Sequence, residues 1–169
     1  AKKSDEASDV RLLSSALREW DRSTLSGAHL PQLVTLPDAP KAIALSALLR
    51  CSTLTSLTLR DCHLGERSAT IVGELLAASL PITSLDVRGN EMGERGLIAL
   101  AGGIQPGGSL VEFKLQHALP KPHTYATVDA LAAAANRCGS LQSMVLGEAD
   151  ANAAVSGGPL ARLQRHLLH

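Results

Sequence analysis

The residues best suited to chemistry in this 169-residue chain are Asp61-Cys62-His63, a thiol set between a carboxylate and an imidazole. A nucleophilic thiol needs its base within hydrogen-bond reach and a third group to orient that base. The spacing argues against this use. Cys62 takes the position that Asn90 takes 28 residues later, which faces inward toward loop backbone, and the adjacent His63 points away from it. The six histidines, His29, His63, His117, His123, His166 and His169, show no zinc-ligand spacing. Gly102-Gly103 and Gly107-Gly108 suggest a phosphate loop, but no Lys-Ser or Lys-Thr follows, so helix termination accounts for them. No nucleophile-elbow or dinucleotide motif is present. The sequence predicts no catalytic, cofactor-binding or metal-ligating residue and a protein that is not an enzyme.

The elements that hold these residues repeat. Leu54-Thr55-Ser56-Leu57-Thr58-Leu59-Arg60-Asp61-Cys62-His63-Leu64-Gly65-Glu66-Arg67 recurs 28 residues on, as Ile82-Thr83-Ser84-Leu85-Asp86-Val87-Arg88-Gly89-Asn90-Glu91-Met92-Gly93-Glu94-Arg95. Both fit L-x-x-L-x-L-x-x-(N/C)-x-L, the frame of a leucine-rich repeat. The predicted fold class is α/β, a leucine-rich-repeat solenoid of about five repeats. Short parallel strands form its concave face and helices its convex face. Residues 1–169 form one domain: an N-terminal cap over 1–19, repeats over 20–158 and a C-terminal capping helix over 159–169.

In chain order, the pattern predicts a helix over Asp9–Glu19, then a degraded first repeat with Trp20, Ser23, Leu25, Ala28 and Leu30 at the frame positions. The offset from Trp20 to Leu54 is 34, which implies an insertion. Helices are expected over about Asp38–Leu49, from Glu66 and Glu94, and over about Thr124–Asn136. The last helix is Pro159–His169. Leu57, Leu59, Leu85, Val87, Phe113, Leu115, Met144 and Leu146 should be buried in one column.

Composition sets further bounds. The formal net charge is +0, so bulk charge points to neither nucleic acid nor an anionic membrane. No apolar run approaches the ~18 residues that a membrane span needs. Three cysteines are few and odd in number, which argues for free thiols and a reducing, cytoplasmic setting. The N-terminus lacks a Met and the apolar stretch of a signal peptide, as a fragment of a longer protein would.

Surfaces remain as the carriers of function. One outward row across the strands is Thr24, Thr58, Asp86, Lys114, Val145; the next is Ser26, Arg60, Arg88, Gln116, Gly147. Binding hot spots favour Trp, Tyr and Arg, so Arg60 and Arg88 are the candidates there. On the last helix, Leu160, Leu163 and Leu167 should seal the stack, while Arg162, Arg165, His166 and His169 share a cationic stripe.

Repeats with a strand and a full helix resemble the ribonuclease-inhibitor class of leucine-rich repeats. The run Gly89-Asn90-Glu91-Met92-Gly93-Glu94-Arg95-Gly96-Leu97-Ile98-Ala99-Leu100 is similar to the central repeat of the tropomodulin and leiomodin family. Ser109-Leu110-Val111-Glu112-Phe113 resembles the start of that family's next repeat, and Gly158-Pro159-Leu160-Ala161-Arg162 the segment leading to its last helix. Met144-Val145-Leu146 departs from it by lacking aromatics. The resemblance implies a non-catalytic protein-interaction module, associated with the cytoskeleton, that binds actin and caps filament pointed ends; as an isolated domain the chain is expected to be a monomer. The alternatives are an architectural scaffold domain without actin contact and, more weakly, a repeat-type GTPase activator.

Overall fold

The computed structural model describes residues 27–50, 52–116, 118 and 124–145, together with Arg11. Apart from Arg11, the expected helix over Asp9–Glu19 lies outside the described residues, as do the helix over Pro159–His169, Trp20, Cys51 and Leu146.

Five three-residue strands form one parallel sheet in sequential order. They are β1 Gly27–His29, β2 Ser56–Thr58, β3 Ser84–Asp86, β4 Glu112–Lys114 and β5 Ser143–Val145. Among the described residues, four α-helices return the chain from strand to strand: α1 Asp38–Ser46, α2 Glu66–Ala77, α3 Gly93–Gly103 and α4 Tyr125–Arg137. Successive side chains of a strand face opposite sides. The middle residues of β2, β3 and β4 therefore point inward, and Leu57, Leu85 and Phe113 stand in register with no exposed surface. Leu59, Val87 and Leu115 form a second fully buried line. Met144 departs from the expected column and is only half-buried. Its strand is the last of the described sheet, with a strand neighbour on one side only.

The first repeat corrects the expected frame. Ala28 lies opposite Leu57 and Gly27 opposite Ser56, so the offset is 29 rather than 34, one residue more than the 28 of the next repeat. His29, not Thr24, sits beside Thr58. Leu25 and Leu30 both fit an apolar slot five residues apart, and Ala28 marks its slot weakly.

The helices form where the apolar stripes require them. Ala69, Val72 and Leu75 of α2 and Leu97 and Leu100 of α3 are buried, as their spacing predicts. Leu76 is only partly so. Glu66 and Glu94 lie in first turns, where negative charge suits the exposed amides. At the start of α4, the Thr124 hydroxyl accepts from the Thr127 amide at 3.2 Å. The first helix is shorter than expected: regular α geometry ends at Ser46, and a 3-10 turn covers Ala47–Arg50.

Two features bind repeat to repeat. The Asn90 side chain is completely buried. Its Nδ2 donates to the carbonyls of Leu59 and Val87 at 2.8 Å each, and its Oδ1 accepts from the amides of Cys62 and Leu64 at 3.0 Å. One amide thus satisfies backbone groups of two successive loops. On the convex side, α2 and α3 touch backbone to backbone. A Cβ on Gly103 would lie 2.0 Å from the Gly73 carbonyl oxygen, and one on Gly73 would lie 2.6 Å from that of Ala99.

Candidate partner-binding surface

Arg60 and Arg88 leave adjacent strands at equivalent positions, as the repeat frame predicts, but their surroundings differ. Arg60 Nε donates to Asp61 Oδ2 at 2.9 Å, and both side chains are more than half exposed. An exposed pair of this kind holds its partners weakly, so Arg60 remains open to an incoming group. Arg88 is engaged within the domain. Its Nη2 lies 2.6 Å from Asp86 Oδ2, its Nε donates to Asp86 Oδ1 at 2.9 Å, and its Nη1 donates to Gln116 Oε1 at 3.3 Å.

That pairing changes the character of the face. Asp86, expected to be a solvated row residue, is only 7% exposed. Burial pushes its carboxyl up, but hydrogen bonds from the Arg88 side chain and amide and the nearby Lys114 charge outweigh it, holding the pKa below the ordinary value. One strand on, Lys114 Nζ lies 2.9 Å from Glu112 Oε2, which also accepts from Ser84 Oγ at 3.0 Å. These donors depress the Glu112 carboxyl too. The face is a lattice of opposite charges rather than a basic patch. The other predicted contacts, Arg162, Arg165, His166 and His169, lie outside the described residues.

The Asp61-Cys62-His63 run is structural, as its spacing implies. Cys62 is fully buried, and its Sγ lies 3.3 Å from the Arg60 carbonyl and 3.7 Å from that of Leu30. Burial pushes the thiol up, the opposite of what a nucleophile needs. His63 is exposed. Cys138 is also buried and unpaired, with Sγ 3.6 Å from the Leu110 carbonyl. Both thiols should resist alkylation in native protein and react at once in denaturant. Intact mass after denaturing alkylation without reductant should show all three cysteines modified; two missing adducts would mean a disulfide.

The most unusual charges, Asp38 and Lys41, stand one turn apart on α1, outside the repeating frame of strand and loop. Lys41 is 1% exposed. Its ammonium donates to the carbonyls of Cys62 and, at 2.7 Å, of His63. Burial lowers its pKa, against the attraction of Asp38. The loop it holds carries Asp61 at φ 52 and His63 at φ 51, left-handed conformations that non-glycine residues seldom adopt. In the next repeat Gly89, at φ 69, replaces Asp61. Asp38 accepts from the amides of Gly65, Arg67 and Ser68 at 2.9, 2.9 and 3.2 Å, and from the Ser68 hydroxyl. The signal was present in the pattern: Lys41 falls in the stripe shared with Ala44, Leu45 and Leu48.

Elsewhere, an apolar groove on the convex side runs between α1 and α2, lined by Ala39, Ala42, Ile43 and Ile71 with Thr70 and Arg67. Among the described residues, no group of three or more His, Cys, Asp or Glu could hold a metal ion, and no helix is long and apolar enough to cross a membrane.

Known proteins resemble this chain in fold. The Leucine Rich repeat family model matches residues 78–101. The structure is similar to the tropomodulin C-terminal domain of Caenorhabditis elegans, with a TM-score of 0.64 and 20% identity over 94% of this chain and 95% of that one. It is also similar to Leiomodin-1 Actin-Binding Site 2, with a TM-score of 0.66 and 14% identity over 94% of this chain and 88% of that one. No curated protein matches the sequence. The fold is a leucine-rich-repeat solenoid of the kind found in tropomodulin and leiomodin.

Proposed function

We propose that this domain is a non-catalytic protein-binding module whose partner is actin, acting as a monomer at filament pointed ends in the cytoplasm. The observation that carries the reading is coextensive fold: the likeness spans 94% of this chain and 88% of a domain whose name states an actin-binding site. The docking edge in this reading is the cationic stripe Arg162, Arg165, His166 and His169, with Arg60 as the available guanidinium on the strand side. Actin offers an acidic surface, and a concentrated stripe on a neutral chain steers toward it.

The test is Arg162→Glu with Arg165→Glu, measured for thermal stability and for slowing of filament loss at pointed ends. In this reading the stripe is solvent-exposed, so the reversal should shift stability by only about 0.5 kcal/mol. Activity should fall, and the wild-type effect should shrink as salt rises. A wild-type domain that neither binds actin nor slows pointed-end loss would sink the proposal. One observation favours a second reading, an architectural domain of a larger assembly. Arg88, the guanidinium most firmly placed on the concave face, is satisfied by Asp86 and Gln116 of its own chain.

A further inference from the structure

We infer that the first repeat is joined to the second by a titratable latch, Asp38 with Lys41, which releases in acid before the next repeat junctions do. The joints differ in chemistry. Repeats two and three are tied by the neutral Asn90 and by the glycine contact of α2 with α3. Repeats three and four are tied in the loops that lead from helix to strand by neutral Ser140, donating to the carbonyls of Gly108 and Leu110. Arg137 also donates there, to the Ala101 carbonyl, and a guanidinium does not titrate in the accessible range. Among the described residues, Asp38 is the one carboxylate that receives several backbone amides of the neighbouring repeat.

Release has two coupled parts. Protonating Asp38 weakens four hydrogen bonds at the start of α2. It also strips the counter-charge from Lys41, which stays protonated throughout the acid range. A cation left buried against two carbonyls is costly, so the ammonium is driven toward water and takes α1 with it. The other nearby groups do not replace the lost charge. The Cys62 thiol is neutral, Asp61 faces Arg60, and His63, Glu66 and Arg67 are exposed.

The sign follows from the direction of the Asp38 shift. Burial raises that carboxyl, but the bonds from Ser68, Gly65 and Arg67 outweigh it, leaving the folded value below the ordinary 3.8. The latch is whole above that ordinary value and is lost as pH falls through the folded one. Asp86 and Glu112 titrate in the same direction, and the Ser84 bond to Glu112 does cross from repeat three to repeat four, but it is one side-chain bond on the strand face, away from α1 and α2, whereas Asp38 holds three backbone amides.

Acid titration of the whole chain followed by amide NMR tests this. Signals of Gly65, Arg67, Ser68 and α1 should lose their native positions at a pH where those of α3 and α4 keep theirs. Simultaneous loss along the chain overturns the inference. In Asp38→Asn, the acid step that marks release should move or vanish from the signals of Gly65, Arg67 and Ser68, and an unchanged step again overturns it. Should that variant not fold, Ser68→Ala decides. Removing one bond to the carboxylate must move release to higher pH, and an unmoved midpoint counts against the latch.

Discussion

Replacing Asn90 by alanine should destabilise the domain by about 3–5 kcal/mol, a large share of the roughly 5–15 kcal/mol that holds a small domain together. The reason is the number of buried groups that depend on one side chain. The carbonyls of Leu59 and Val87 lose their Nδ2 donor, and the amides of Cys62 and Leu64 lose their Oδ1 acceptor. Each orphaned buried group costs about 1–3 kcal/mol unless water replaces its partner. Asn90→Asp should fare little better, since it keeps the acceptor, loses the donor and buries a carboxylate. Urea denaturation checks both variants. A loss below about 1 kcal/mol for the alanine variant would show that water satisfies these loops without the amide.

Leu85→Ala should cost about 2–5 kcal/mol. Leu85 is completely buried and stands between Leu57 and Phe113 in the register of the central strand. Its neighbours belong to different strands pinned by backbone bonds, such as Leu59 N to Asp86 O at 2.8 Å and Val87 N to Lys114 O at 3.0 Å. They can close only part of the void, so the cavity adds to the lost transfer energy. Chemical denaturation at neutral pH measures this, and a change within error of zero would mean that Leu85 does not face the core.

The ease of reading repeats two to four reflects what their residues encode. Leu57, Leu85 and Phe113 are a packing instruction, legible wherever three large apolar side chains recur at a fixed offset. The first repeat resists framing because the residue in register with Leu57 is an alanine, Ala28, and a shift of frame by five residues finds leucines again. The candidate surface was legible as positions but not as states. Arg60 and Arg88 are equivalent in the frame, yet Asp86 rather than Thr58 precedes Arg88 by two, and that carboxylate captures its guanidinium. Lys41 was missed for a related reason. A lysine among alanines and leucines reads as a solvated interruption until the loop that receives its ammonium is known. The sequence gap between Lys41 and His63 hides that contact.

The glycine contact between α2 and α3 also determines how the solenoid bends. Strands of one sheet lie about 4.8 Å apart, whereas packed helices usually stand about 8–10 Å apart. Each repeat is therefore a wedge, thin at the strand and thick at the helix, and a row of wedges makes an arc. Where Gly103 meets Gly73 without an intervening side chain, the thick end of the wedge is pared down. A thinner wedge there bends the arc less than a full helix spacing would. Its radius, and with it the width of the surface that a partner can be gripped across, depends on two hydrogen atoms standing where methyl groups would otherwise be.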